Sequence, residues 1–355
     1  MSTILQRIAY FFLFISCIKI NATDKWIVVT TINYPTAALK QLAQLPDWHL
    51  VVVADKKTPC DWHLDNCEFL SVEKQQQLPY KIIQFLPWNH YSRKNIGYLY
   101  AIEHGARIIY ETDDDNYLID NEIGYLPEHA TTIQYITDQS TVNPYEHFGQ
   151  PNVWPRGYPL KKIIHNQQYQ TVERHVHCPI QQGVVNNDPD VDAIYRLTHS
   201  QEINFDSNKK PLSLQRGVLC PFNSQNTIFY YNAFWALLLP VTPSFRVCDI
   251  WRSYWMQRLL WDFDGSVCFL APTAVQYRNE HNLLTDFADE IDVYLKSEQL
   301  INTLRNWKCE KKVFVERMEE LMNELIIKQY FKPAEIALVT AWIEDLEHIN
   351  YSMPQ

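Results

Sequence analysis

The chain reads as an α/β fold: a mostly parallel central sheet carrying a binding edge, followed by a C-terminal helical extension. Three observations lead there. Short apolar, β-rich runs alternate with helical patterns in the first third: Trp26–Thr31 (WIVVTT), His49–Ala54 (HLVVVA) and Arg107–Tyr110. Strands separated by helical stretches build βαβ units and a parallel sheet. Just beyond the third run stand three adjacent aspartates, Asp113, Asp114 and Asp115. Residues 296–347 carry two or three amphipathic helical patterns, broken near Lys332-Pro333.

The elements follow in order. Pro35 opens a helical stretch over Thr36–Leu45, and residues 71–78 read as a short helix. From Arg93 to Gly105, Ile96, Leu99, Tyr100 and Ile102 recur near helical spacing. Gly105 stands where a left-handed residue closes a helix. Residues 120–230 are rich in Pro, Asn and Gln and read as loops over the sheet, where binding residues concentrate. Residues 245–263 return to a helical pattern dense in aromatics. This divides the chain into residues 24–295, the α/β domain, and 296–355, the helical extension.

Composition bounds the function. Of 355 residues, 46% are hydrophobic and 20% charged, as in a globular protein. The 14% aromatic content suits a carbohydrate site, but a large core uses such residues too. A net charge of −10 argues against nucleic acid as a partner, which needs basic stripes. A nucleotide held through a metal stays open.

Arg7 precedes an apolar run from Ile8 to Ile18. That length suits a signal-peptide core and is short of the roughly 20 residues of a spanning helix. Residues 1–22 are therefore expected to be a signal peptide or short signal anchor, with cleavage after Ile20-Asn21-Ala22. Asn21-Ala22-Thr23 is also a glycosylation sequon, as is Asn350-Tyr351-Ser352. Either way the remainder is expected in the lumen of the secretory pathway, with any membrane association made through the N-terminus. There are eight cysteines. Cys17 lies in the apolar run. Cys60 and Cys67, close together in a polar stretch, predict a local disulfide. Cys178, Cys220, Cys248, Cys268 and Cys309 are unassigned, some of them as buried free thiols. The lack of a Cys-x-x-Cys gives zinc little support.

Several constellations carry chemistry. Three neighbouring carboxylates repel one another unless a cation is near, and ligands of open α/β sheets bind beyond the carboxyl ends of strands. Mg²⁺ takes one or two carboxylates plus substrate phosphates, and Mn²⁺ accepts the same donors. Asp113 and Asp115 are thus expected to hold Mn²⁺ or Mg²⁺, with Asp114 alternating to the other face. A solvated acidic turn fits the same residues. A calcium EF-loop does not, because its glycine and twelfth-position glutamate are missing. Thr30 and Asp55, near the ends of the first two strands, are expected to bind the cofactor together with Asp113 and Asp114. Arg93, Lys94 and Asn95 open a helix, and helix N-termini bind anions; an ordinary capped start fits equally. Arg156, in Trp154-Pro-Arg-Gly-Tyr-Pro159, is held by turn residues and suits bidentate phosphate contact, or is a solvated surface arginine. Asp249 and Arg252 stand at i and i+3 among Trp251, Tyr254 and Trp255. Asp249 suits a sugar hydroxyl as acid or base, and the spacing also fits an ion pair along a helix. His175 and His177 suit one strand face. His281 carries little on its own.

Together these segments resemble one family. KWIVVTTINYPTAALKQLA, LVVVADKKTP, SRKNIGYLYAIEHGA and YETDDDNYL are similar, in that order, to the glycosyltransferase domain of the STELLO proteins; WPRGYPL, QQGVVNNDPDVDAIYRLT and DIWRSYWMQRLLW continue the match over residues 25–300. That domain resembles the reversibly glycosylated polypeptides, the UDP-arabinopyranose mutases. The resemblance implies a GT-A-like fold and a metal-dependent glycosyltransferase using a UDP-sugar donor, with an unknown glycan or protein acceptor, in the Golgi. It places Asp113 and Asp115 at a DxD motif, Arg93–Asn95 beside the nucleotide, Arg156 at the arginine the mutases glycosylate, and Asp249 on an acidic, aromatic-rich helix. A mutase-like or autoglycosylating protein and an inactive scaffold are the alternatives. The short N-terminal apolar run and the Cys60/Cys67 pair depart from the family.

Overall fold

The structure, a computed structural model, describes residues 24–164, 169–278 and 282–354. The expected signal segment, the first sequon, Cys17 and His281 lie outside the described residues.

The N-terminal half is the predicted alternation. It comprises β1 (Lys25–Thr31), α1 (Ala37–Leu42), β2 (His49–Ala54), β3 (Cys67–Leu70), α2 (Val72–Gln77), α3 (Lys94–Glu103) and β4 (Ile108–Thr112). β1 pairs in parallel with β2 and β4, and β2 with β3, so the carboxyl ends of these strands share one edge. Local chemistry sets the helix starts. The Thr36 side chain accepts from Leu39 N to cap α1, and Ser71 caps α2 from Lys74 N. Gly97 lets α3 lie close on the strands: a Cβ there would sit 2.6 Å from Val28 Cγ1 and 2.8 Å from Val53 Cγ2. Gly105 closes the chain after α3 with φ +91°, as its position predicts.

Beyond β4 come β5 (Asn116–Leu118), β6 (His129–Ile136), α4 (Pro144–His147), β7 (Gln170–Asn187), α5 (Ala193–Thr198), β8 (Leu212–Ser213), β9 (Asn226–Tyr230), α6 (Cys248–Leu260) and β10 (Gly265–Gln276). The helices α7 (Leu283–Asp289), α8 (Ile291–Asn306), α9 (Phe314–Ile327) and α10 (Glu335–His348) end the chain. All ten strands form one sheet, in the order β3-β2-β1-β4-β9-β7-β6-β8-β10-β5. The α/β class holds, but the sheet is mixed rather than mostly parallel. β9 enters antiparallel to both β4 and β7, while β7 and β10 run parallel. The stretch read as loops contains the 18-residue β7. Its first half is polar and largely exposed, so it shows no apolar alternation in sequence.

Both faces of the sheet are covered. Ile27, Val29, Leu39 and Leu42 pack on one side. On the other a continuous core runs from Trp26 to Tyr351 and takes in Leu300, Met318, Leu338 and Trp342 of the last three helices. Those helices are tied back by polar contacts as well. Trp342 Nε1 donates to the Trp235 carbonyl at 3.1 Å, and Asp345 accepts from Lys81 N and Ile82 N at 2.7 and 2.8 Å. Among the described residues no helix is long and apolar enough to cross a membrane. Asn350, of the second sequon, is exposed.

The disulfide differs from the expected one. Cys60 and Cys67 are free, and the bond joins Cys178 of β7 to Cys268 of β10, Cα atoms 5.8 Å apart. Cys67 is committed to the β2–β3 ladder opposite Leu50, and Trp62, stacked on Phe69 at 4.2 Å, fills the loop between the two cysteines. Closeness in sequence does not bring these thiols together; the β7–β10 pairing brings together two that are 90 residues apart. Cys220 and Cys248 are buried free thiols. A loop of that length confers about 2–5 kcal/mol. Cys178→Ser/Cys268→Ser is therefore expected to unfold at clearly lower denaturant; an unchanged midpoint would contradict this role.

Candidate active site

The shared strand edge opens into a cleft of about 360 Å³. Thr30 and Thr31 from β1, Asp55 after β2 and Asp113, Asp114 and Asp115 after β4 form one wall. Arg156, Ser224, Arg246 and Asp249 form the other, with Gln276 and Arg278 leaving the end of β10. Of the residues expected to bind or react, only Lys94 and Asn95 lie off the cleft.

The three aspartates are not equivalent. Asp114 accepts from Thr31 Oγ1 and from Asn33 Nδ2 at 3.1 Å, while its carbonyl accepts from Thr36 Oγ1. It fastens the turn to the β1–α1 loop. Asp113 Oδ1 accepts from Lys94 Nζ at 3.0 Å, and that ammonium also donates to the Thr112 carbonyl at 2.9 Å. Lys94 is fully buried, whereas the Asp113 side chain is 40% exposed. Asp115 Oδ1 accepts from Gln276 Nε2 at 2.9 Å. Burial, then the neighbouring Asp113 charge, pushes the Asp115 carboxyl up to about 6. Burial also raises Asp113, against the pull of Lys94.

Two carboxylates, one paired with Lys94 and one with Gln276, thus face the cleft. Among the described residues no group of three or more His, Cys, Asp or Glu side chains is arranged to hold a metal. Asp113 and Asp115 suit a hard divalent ion whose remaining ligands come from substrate phosphates and water.

Arg93 lines the cleft while its side chain, like those of Lys94 and Asn95, is bonded to the protein itself. Arg93 Nε and Nη2 donate to Gln75 Oε1 at 2.9 and 2.5 Å, and the guanidinium lies 3.5 Å from the centroid of the Trp88 ring. Burial lowers its pKa to about 10. Asn95 exchanges two 2.8 Å hydrogen bonds with the backbone of Leu239 and serves the fold. Asp55 accepts from Lys56 N and His90 N at 2.7 and 3.0 Å, shaping the rim.

Arg156 is held as its turn predicts, though buried rather than solvated. Nε and Nη2 donate to Asp190 at 2.7 and 2.8 Å, and Nη1 and Nη2 reach Asp249 at 3.1–3.2 Å and the Arg246 carbonyl. Burial works against its charge, and Asp190 and Asp249 outweigh it, so the guanidinium is held charged. Burial likewise presses the Asp249 carboxyl upward, but Arg156 and then Arg252 hold it below the usual carboxylate range. Asp249 and Arg252 are not an ion pair along α6. Arg252 points behind the cleft, where Nη1 donates to both oxygens of Glu111 at 3.0 Å, with neither side chain exposed. Arg252 Nε and Nη2 and the Tyr98 hydroxyl have no hydrogen-bond partner.

The sequence patterns did not single out Asp190, Arg196, Arg246 or Arg278. Asp190 and Arg196 lie in DPDVDAIYR, where the Asp-Pro step marks a turn; Arg246 and Arg278 carry no local signal. His175 and His177 share one face of β7, stacked against His129, and do not line the cleft. Arg252→Leu leaves Glu111 buried and unpaired, at an expected cost of about 3–5 kcal/mol in urea unfolding. Adding Glu111→Leu is expected to recover most of that loss; a double variant as unstable as the single one would refute the pairing.

Comparison with known proteins places these features in a family context. Residues 246–355 match the family model described as STELLO glycosyltransferases. Over 352 residues, 94% of this chain, the sequence is 36% identical to two Arabidopsis thaliana proteins, "Probable glycosyltransferase STELLO1" and "Probable glycosyltransferase STELLO2". The chain spans 45% and 46% of their lengths, less than half of either. Two solved structures of glucosyl-3-phosphoglycerate synthase from Mycobacterium tuberculosis, one with phosphoglyceric acid, are similar at TM-scores of 0.34 and 0.33. Their identities are 10% and 9%, covering 81% of this chain and 81% and 82% of theirs. A likeness that low carries no functional weight.

Proposed function

We propose that this chain, which is of the STELLO glycosyltransferase type, transfers a sugar from a UDP-sugar donor with the help of Mn²⁺ or Mg²⁺. The observation that carries the reading is the pair Asp113 and Asp115. Both stand at the carboxyl end of β4, facing a cleft of ligand size, with the Asp115 carboxyl pushed up to about 6 by burial and the neighbouring Asp113 charge. The metal, when bound, offsets the charge that a departing diphosphate gains. Around it Lys94 holds Asp113 in place, Gln276 orients Asp115, and Asp114 locks the turn.

Asp249 enters as an ionised carboxylate on the opposite wall, able to accept a hydrogen bond from a sugar hydroxyl. Arg156 keeps it there and adds fixed positive charge to the wall. The mutase-like reading asks Arg156 to take the sugar covalently. Its N–H groups are engaged by Asp190, Asp249 and Arg246, so it would first have to be released. A setting in the secretory lumen is supported by the Cys178–Cys268 disulfide and the exposed Asn350 sequon. The acceptor is a glycan or a protein.

The test is binding and then turnover. With UDP at about 100 times its dissociation constant, about 2.7 kcal/mol of stabilisation is expected, read as a rise in Tm of several degrees. The rise should need Mn²⁺ and vanish in Asp115→Ala. An equal rise in EDTA, or an unaffected variant, would sink the metal role. UDP binding without hydrolysis or transfer across a panel of sugar nucleotides would favour the inactive scaffold.

A further inference from the structure

Across the sheet the strands that bear the cleft stand in the order β2, β1, β4, β9, β7. β9 runs antiparallel to both β4 and β7, so the residues entering β9 and those leaving β7 reach the same edge as Asp113. Ser224 stands just before β9, and Asp188 and Asp190 just after β7. In the UDP-sugar reading the nucleotide lies at the β1–β2 rim and the metal at the end of β4. The sugar then falls beyond β4, against Ser224, Asp249, Arg156 and Asp190, which line that end of the cleft.

The charge there is balanced against a further anion. Each nitrogen of the Arg156 guanidinium is engaged: Nε and Nη2 on Asp190, Nη1 on the Arg246 carbonyl, and Nη1 and Nη2 on Asp249. One buried guanidinium therefore stands between two carboxylates. Arg196, Arg246 and Arg278 also line the cleft, and each is already paired, with Asp188 at 2.9 Å, Glu290 at 2.6 Å and Asp286 at 2.7 Å. Among the described residues four guanidiniums thus meet five carboxylates, a formal excess of one negative charge. Arg156 and Arg252 hold the Asp249 carboxyl below the usual range, so that charge is kept.

The wall is rich in acceptors. Asp190 takes one bond at each oxygen from Arg156, and a carboxylate oxygen has a second lone pair to offer. Sugar hydroxyls can donate to it. A sugar carboxylate would instead enter a site of its own sign, out of water and with every guanidinium already paired, and a buried charge without a partner is costly. Such a repulsive element discriminates between ligands of nearly equal size.

We propose that the sugar end of the cleft takes an uncharged sugar and rejects a uronic acid, with Asp190 and Asp249 setting that preference by receiving hydroxyls and repelling a carboxylate. The proposal rests on the UDP-sugar reading and deepens it by naming the class of donor sugar.

Calorimetry on the full chain with Mn²⁺ tests it on two matched pairs, UDP-glucose with UDP-glucuronic acid and UDP-galactose with UDP-galacturonic acid. Within a pair only the C6 group changes, from hydroxymethyl to carboxylate. In the pair that binds more tightly, the neutral sugar is expected to hold roughly tenfold or more better than its uronate. Asp190→Asn removes one negative charge and is expected to narrow that ratio severalfold, with melting temperature as the control for folding. A uronate that equals or exceeds its neutral partner in that pair overturns the proposal, whether or not the variant folds. A folded Asp190→Asn with an unchanged ratio overturns the role given to Asp190. UDP alone is titrated alongside: if it fails to bind, the donor site itself is refuted, whereas UDP bound with no preference within the pairs refutes only the charge selection.

Discussion

Glu111 and Arg252 meet in the interior with neither side chain exposed, and the cleft is arranged around that pair. Two charges removed from water are costly, and their attraction offsets the loss only with good geometry and further charged neighbours. Those neighbours are present. Lys94 acts on Glu111 from one side and donates to Asp113; Arg252 acts on Asp249 from the other, and Asp249 is gripped by Arg156. Charges alternate from Asp190 through Arg156, Asp249, Arg252, Glu111 and Lys94 to Asp113. One end of this string is the acidic tip and the other is the opposite wall of the cleft. Each member limits where its neighbour can stand, so the two walls are positioned together.

The architecture explains why the string exists at this place. β1 and β4 pair in parallel with Val28 level with Glu111, and Gly97 brings α3 down onto Val28. Lys94, one turn before Gly97, is thereby carried under the end of β4. The antiparallel β9 then presents Gln225, whose carbonyl receives Thr112 Oγ1 and Asn116 Nδ2. The turn holding the aspartates is consequently fixed from β1, α3 and β9 before any ligand arrives. Preorganisation of this kind lets charged groups act without rearranging at the moment of reaction.

Much of this was legible in the sequence. The apolar runs and helix caps gave the βαβ half, because periodicity and capping are local. Asp113–Asp115 and the turn-bound Arg156 stood out because repelling carboxylates and proline-fixed backbone are local too. What stayed hidden depends on pairing between distant segments. β7 hides its strand character in a polar, exposed half. Cys178 and Cys268 meet only once β7 and β10 are neighbours. Lys94 and Asn95 read as ligand contacts, since a helix start looks the same whether it faces an anion or the core. Arg246 and Arg278 reach the cleft from the start of α6 and the end of β10, and no spacing rule links those two positions.

The most direct measurement is diffraction from crystals grown with UDP and Mn²⁺, recorded for the anomalous signal of manganese. A single manganese peak is expected between the carboxylates of Asp113 and Asp115 and the diphosphate, with Asp114 still bonded to Thr31. Manganese bound elsewhere, or UDP seated in the cleft with both carboxylates out of contact with any metal, would contradict the central claim.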